Sequence, residues 1–269
     1  MMARVLVTND DGIDAPGLLA LAAAAVAAGY DVTIAAPATQ SSGSSASIMA
    51  EDEDGRIAVD RRGFDELPHV SAFAVHGGPG LIAMIAARGA FGEPADVVLS
   101  GANHGANVGR AILHSGTVGA ALTAALNGAR GLAVSLDVGM QPREFHWETA
   151  AEAAVGLLPQ LLRLPVGTTL NVNVPNAGSH RGYMETALAP FGIVQTTLSE
   201  NDAQYIRLAV EDLPNRPEPG TDAAHLADGW VTVTAVDPVA HTRLGLFDTG
   251  PELIARDGSS GDDSSGDET

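Results

Sequence analysis

Apolar runs and polar breaks alternate along the first 175 residues, and the alternation predicts strands and helices in turn. Arg4–Thr8 (RVLVT) is a β-branched run suited to a strand buried on both faces, and it breaks at Asn9-Asp10-Asp11-Gly12. A helix follows with Pro16 near its first turn; it carries Leu18, Leu19, Leu21 and Val26 and ends at Gly29, a residue suited to a left-handed cap. Asp31–Ala36 reads as the next strand, closed by Pro37. The same punctuation gives strands at Val70–Val75, Asp96–Leu99, Leu132–Leu136 and Thr169–Val174. Between them it gives helices at Leu81–Arg88, from near Ser115, and over Trp147–Leu162, with a loop at Ser100–Arg110. Such alternation predicts an α/β chain: a Rossmann-like, mostly parallel sheet with helices on both faces. Ligands of these sheets sit beyond the carboxyl ends of the strands, so the polar loops there are where chemistry is expected.

After residue 176 the pattern changes. Tyr205–Val210 and Trp230–Val236 alternate in the β manner and suggest hairpins, separated by the Pro-rich stretch Leu213–Gly220. This predicts a β-rich C-terminal extension over about 177–256, appended to a core of about 1–176 in a single domain of 1–256. Glu51–Glu66 mixes seven acidic residues with three Arg and reads as an exposed hairpin or loop. Residues 257–269 contain only Asp, Glu, Gly, Ser and Thr, and a disordered acidic tail is expected there.

Composition narrows the chemistry. Asp and Glu outnumber basic residues 33 to 14, for a formal charge of −19, which argues against nucleic-acid or anionic-membrane surfaces as partners. All 14 basic residues are Arg, which removes Walker-type phosphate loops and Schiff-base chemistry. With no Cys, disulfides, thiolate metal sites and Cys nucleophiles are excluded. An anionic small substrate therefore needs positive charge from a metal, from helix N-termini or from backbone amides. The N-terminus enters an apolar run without a charged leader, and the expected location is cytoplasmic.

Four segments could carry chemistry. In Asn9-Asp10-Asp11-Gly12 the turn after a strand lets two adjacent carboxylates converge on one hard cation such as Mg²⁺ or Mn²⁺; a turn whose Asp caps the next helix explains the same residues. Ser41–Ser45, around Gly43, can offer hydroxyls to a metal and amides to a phosphate, or serve as a flexible linker. The glycine-rich run Ser100–Gly109 presents Asn103 and Asn107 at a strand's carboxyl end, and an Asn oxygen can complete a metal shell. His114–Ala121 opens an Ala-rich helix whose free amides and positive dipole end suit an anion, with N-capping by Ser115 equally consistent. His104 and His114 lie near these segments as candidate proton donors. The sequence holds no His-Glu-x-x-His and no Gly-x-Ser-x-Gly elbow.

Taken in order, these segments resemble the SurE family of survival proteins. The likeness is carried by VLVTNDDGIDAPGL at 5–18, AAP at 35–37, SSGSSAS at 41–47, VVLSGANHGANVG at 97–109 and HSGTVGAA at 114–121. It continues through AVSLD at 133–137, NVNVP at 171–175 and GTDAAHLADGWVTVT at 220–234. The resemblance implies a phosphomonoesterase acting on nucleoside 5′-monophosphates, with 3′-monophosphates as a second class, in a homodimer or homotetramer. It further implies one divalent metal ion per subunit, Mn²⁺ or Mg²⁺, held by Asp10, Asp11, Ser42 and Asn103, with the two aspartates catalytic. Asn9, Gly43, Asn107, Ser115, Gly116 and Thr117 fall on positions around the phosphate.

One segment departs from the family pattern: His76-Gly77-Gly78-Pro79-Gly80-Leu81 stands where relatives carry a Gly-Thr-Pro-x-Asp-Cys-like run. Two alternatives follow. A haloacid-dehalogenase-like phosphatase would need Asp-x-Asp rather than the adjacent Asp10-Asp11, and normally a Lys, a residue this chain does not possess. A catalytically weak protein that binds nucleotide or phosphate would retain the pocket without turnover.

Overall fold

The computed structural model describes residues 2–50, 52–139, 142–190, 194–201, 206–212 and 217–241. Met1–Pro238 forms one compact unit; of a second, Val239–Thr269, only 239–241 are described. The acidic tail expected at 257–269 lies outside the described residues, as do 213–216 of the Pro-rich stretch.

Six strands form the parallel centre of the sheet: β1 (Arg4–Thr8), β2 (Asp31–Pro37), β6 (Ser71–Val75), β7 (Val97–His104), β8 (Arg130–Asp137) and β9 (Thr169–Pro175). Their spatial order is β9-β8-β7-β1-β2-β6, so counting only these six the sequence reads 3-2-1-4-5-6 across the sheet. This is the doubly wound order, whose direction reverses between β1 and β7. The loops after those two strands therefore open into the crevice at the switch point. Three more strands finish the edges: β5 (Val59–Arg62) runs antiparallel to β6, β13 (Val231–Ala235) antiparallel to β9, and β10 (Tyr183–Glu185) parallel to β13. Two antiparallel pairs form sheets of their own, the short β3 (Asp52–Glu53) with β4 (Arg56–Ile57) and the longer β11 (Val194–Asn201) with β12 (Ile206–Asp212).

Strand side chains alternate between two cores, as a period of two requires. Val5, Val7, Val97, Leu99, Leu132 and Val134 face the helices α1 (Pro16–Ala27), α4 (Trp147–Gly156) and α5 (Leu158–Leu161). Leu6, Ala35 and Val98 face α2 (Pro79–Ala86) and α3 (Gly116–Leu126) on the other side. Alanine dominates the buried helix faces, which lets the helices lie close to the sheet. At Gly17 a Cβ would sit 2.1 Å from the Ala102 carbonyl, so α1 rests directly on the β7 backbone.

Four expectations need adjustment. The helix over Trp147–Leu162 is broken at Leu157, because Pro159 cannot donate an amide and crowds the preceding turn. The strand expected to stop at Leu99 continues to His104; its pairing with β8 shifts register between Ser100 and Asn103, where Gly101 (φ 138°) lies against the Val134 carbonyl. Trp230–Val236 does not form a hairpin: β13 joins the main sheet beside β9. A sixth helix, α6 (Asp222–Ala227), starts at Thr221, whose hydroxyl accepts from the Ala224 amide.

Candidate functional site

The turn after β1 is built by Asn9. Its side chain is fully buried, donates to the Gly12 carbonyl (2.9 Å) and accepts from the Gly12 amide (3.1 Å). Gly12 sits at φ 104°, a region L side chains rarely enter, so this closed turn needs glycine there. The Asp10 carbonyl accepts from the Ser41 amide (2.7 Å), which joins the loop after β1 to the loop after β2.

The two aspartates occupy different environments. Asp10 is 4% exposed, and its Oδ1 accepts from the Thr117 hydroxyl at the start of α3. Burial pushes its pKa above the usual carboxylate range, and repulsion from Asp11 adds to the rise; the Thr117 hydroxyl and amide and Asp10's own amide oppose it. Asp11 is half-buried, and its Oδ2 accepts from the His104 amide at the end of β7 (3.2 Å). A buried anion beside a second anion is a costly arrangement that a cation relieves.

Behind Asp10 the packing excludes any side chain at Gly116. A Cβ there would lie 2.8 Å from Asp10 Cβ, 2.9 Å from Asp10 Oδ2 and 2.7 Å from Ser44 Oγ. Ser44 Oγ is itself buried without a hydrogen-bond partner. The serine loop lies on further glycines: a Cβ at Gly119 would meet the Ser45 carbonyl at 2.4 Å, and one at Gly80 the Ser47 carbonyl at 2.9 Å. The unusual glycines of 76–81 thus let the backbone around Ser47 approach the start of α2.

On the other wall, Asn103 donates to the Gly105 carbonyl (2.8 Å), which leaves its amide oxygen as the acceptor. Asn107 is held by a polar ladder on β8 and β9. Its amide donates to Asn173 Oδ1 (2.7 Å), its side chain donates to Ser135 (2.9 Å), and its carbonyl accepts from both Asn171 and Asn173 (2.8 Å each). The same loop is braced by Asp222, fully buried, which accepts from the amides of Gly109, Ala189 and Ala223 (2.8 Å each). Ser115 caps α3 by accepting from the Val118 amide (3.1 Å), so its own hydroxyl proton remains to donate elsewhere.

These walls enclose a cavity of about 340 Å³. Asp10, Asp11, Ser42, Gly43, Asn103, Asn107 and Ser115 line it, together with His104 and His114. Asn9, Gly116 and Thr117 are not among its lining residues: Asn9 is engaged with Gly12, Thr117 with Asp10, and Gly116 lies against Asp10 and Ser44. Among the described residues no cluster of three or more His, Cys, Asp or Glu could hold a metal. A cation at this cavity would take two carboxylates plus neutral oxygens. Ser44, Ser135, Asn171, Asn173 and Asp222 fall inside motifs visible in the sequence, but their individual roles do not show there. Only Asn171 and Asn173 carried a local signal, two polar residues two apart on an otherwise apolar strand.

The model of the family described as Survival protein SurE matches residues 5–198. The chain belongs to the SurE family. A protein named 5′-nucleotidase SurE from Syntrophobacter fumaroxidans is 36% identical over 91% of this chain and 97% of its own length. One of the same name from Xanthomonas campestris pv. campestris strain B100 is 40% identical over 91% of this chain and 93% of its own. The crystal structure of the SurE protein from Aquifex aeolicus superimposes with a TM-score of 0.72 at 25% identity, covering 88% of this chain and 94% of that one. SurE membership fits the doubly wound sheet, and no helix among the described residues is long and apolar enough to cross a membrane.

Proposed function

We propose that this protein is a metal-dependent nucleotidase that hydrolyses nucleoside 5′-monophosphates, and 3′-monophosphates as a second class, to nucleoside and phosphate. The observation that carries the reading is the convergence of Asp10, Asp11, Ser42 and Asn103 on one cavity at the switch point of the sheet. The names of the relatives support it.

The donor set fits a hard divalent ion. It is all oxygen, and it includes a buried carboxylate whose charged form is penalised, beside the unpartnered hydroxyl of Ser44. One Mn²⁺ or Mg²⁺ per subunit would be held by Asp10, Asp11, Ser42 and Asn103. When bound, such an ion polarises phosphoryl oxygens and makes hydroxide accessible near neutral pH.

The chain's own residues do the rest. Thr117 holds Asp10 in a fixed rotamer, and the His104 amide holds Asp11. Asn107, Ser115 and the Gly43 backbone face the cavity and take the phosphate oxygens. The positive end of α3 adds to the charge stabilisation there. Asn9 and Gly116 act through the carboxylates, by fixing the turn and by leaving room for it. His114, which lines the cavity beside Ser115, would give a proton to the departing ester oxygen. With no Lys in the chain, neutralisation of the phosphate rests on the ion and on these dipoles. The family resemblance carries a homodimer or homotetramer and a cytoplasmic location into the same reading.

The test is steady-state hydrolysis of a panel of nucleoside 5′- and 3′-monophosphates with Mn²⁺, with Mg²⁺ and with chelator. Turnover on the 5′ series that is lost on chelation supports the reading. Nucleotide binding without turnover under every metal condition would instead mark a binding protein.

A further inference from the structure

Three aromatic rings stand together, with one of them, His104, on the cavity wall, and the hydrolytic reading leaves them without a role. His104 lines the cavity; its ring lies 5.3 Å from Phe145 and 6.3 Å from Trp147, centroid to centroid. Phe145 and Trp147 are stacked, with planes 11° apart and centroids at 5.6 Å. Phe145 nevertheless remains 42% exposed. An exposed phenyl ring is usually mobile, but the backbone around this one is latched. Asn176, just beyond β9, accepts from the His146 amide (2.9 Å) and donates to the Glu144 carbonyl (2.8 Å). Trp147 is fixed as well, since its ring edge lies 3.0 Å from where a Cβ on Gly17 would stand.

The connection to the reacting end is short. His104 touches the Asp11 carboxylate through its backbone amide and Phe145 through its ring. One residue therefore spans from the carboxylates to the aromatic ledge, the order in which a nucleotide presents phosphate, sugar and base. A latched, half-open aromatic face gains from a flat π-system laid on it and loses little conformational entropy in doing so. No charged side chain is needed for that contact, which suits a chain with so few cations.

We propose that Phe145, backed by Trp147 and edged by His104, is the surface on which the nucleobase of the substrate stacks, and that it sets the preference for nucleotides over base-free phosphomonoesters. Stacking tolerates any base but favours the larger purines. The inference rests on the phosphomonoesterase reading and deepens it.

The experiment compares AMP, UMP and ribose 5-phosphate, a monoester with the same sugar and no base, at saturating Mn²⁺. The ratio of kcat/KM for AMP to that for ribose 5-phosphate should fall roughly 10-fold or more in Phe145→Ala, and less for UMP than for AMP. Phe145→Tyr should restore the ratio. AMP should also quench tryptophan fluorescence in the wild type, ribose 5-phosphate should not, and Phe145→Ala should lose the quench. A wild-type ratio near one, or a ratio unchanged by Phe145→Ala, would overturn the proposal. Absence of turnover on all three substrates would overturn the nucleotidase reading instead. The fluorescence arm would then still decide: quenching by AMP alone supports the ledge, and no quenching refutes it.

Discussion

Replacing Gly116 by Ala tests whether the packing behind Asp10 is what sets its carboxylate for metal binding. The added methyl would lie 2.8 Å from Asp10 Cβ and 2.7 Å from Ser44 Oγ, against an ordinary contact of 3.4 Å or more. Asp10 must therefore retreat by about 0.6 Å, the difference between 3.4 and 2.8 Å. A displacement of that size at a catalytic group costs on the order of 10-fold in rate, given that about 1 Å can cost 100-fold. Overpacking also costs about 1–3 kcal/mol of stability, roughly 2–12 °C in Tm for a chain of this length. Loss of activity through general destabilisation is separated by a control, Gly131→Ala. Its methyl would meet the Ala121 carbonyl at 2.2 Å, a harsher clash, at the far end of β8 from the cavity. Mn²⁺ titration calorimetry and kcat/KM on AMP, measured below the melting range of each variant, should show weakened affinity and rate for Gly116→Ala only. Equal losses in both variants, or an unchanged Mn²⁺ affinity in folded Gly116→Ala, would refute the reasoning.

Three more expectations follow from single contacts. Thr117→Val removes the hydroxyl that donates to Asp10 and leaves a buried carboxylate short of a partner; activity should fall about 10-fold and Thr117→Ser should restore it, read as kcat and Mn²⁺ affinity. Asp222→Asn turns an N–H toward the Gly109 amide in place of an acceptor, and a loss of about 2–3 kcal/mol should appear as a lower urea midpoint with the Asn107 loop loosened in hydrogen exchange. Asp10→Asn should remove at least about 100-fold of activity yet stabilise the metal-free fold near neutral pH. The sign follows from Asp10's raised pKa: the folded state holds this proton more tightly than the unfolded chain. Stability is therefore lost as pH climbs from the ordinary carboxylate value through the raised one. The mutant lacks that component, so in chelator its Tm advantage over wild type should open across that window and persist above it.

The sheet was readable because its central strands hold short apolar runs, as buried parallel strands must, and three of them are punctuated by Asn or Pro: β1 at Asn9, β2 at Pro37 and β9 at Pro175. The pair Asp10-Asp11 drew notice because two adjacent acids follow a buried strand, although a turn capping the next helix explains the same residues; the burial of Asp10 against Thr117 emerges only in the fold. What escaped were partners far away in sequence. Asp222 braces Gly109 across 113 residues, and nothing in its own neighbourhood announces the three amides that converge on it. Thr221 ahead of it is a good helix cap, and that signal could have placed α6. Ser44 resembled its neighbours in a run of serines, yet its buried hydroxyl packs against Gly116 whereas Ser42 is exposed and lines the cavity. The roles expected of Asn9 and Thr117 at the phosphate rested on motif position alone, whereas their side chains are engaged with Gly12 and Asp10. The aromatic ledge was hidden because His104 ends β7 whereas Phe145 and Trp147 lie at the start of α4, and the two meet only when β7 extends past Leu99.

The most direct test of the central claim is an anomalous difference map from crystals of this protein grown with Mn²⁺ and measured at the manganese edge. One strong peak per chain is expected in the cavity, within bonding distance of oxygens from Asp10, Asp11, Ser42 and Asn103. A fully occupied manganese site elsewhere, with none at those four residues, would contradict it.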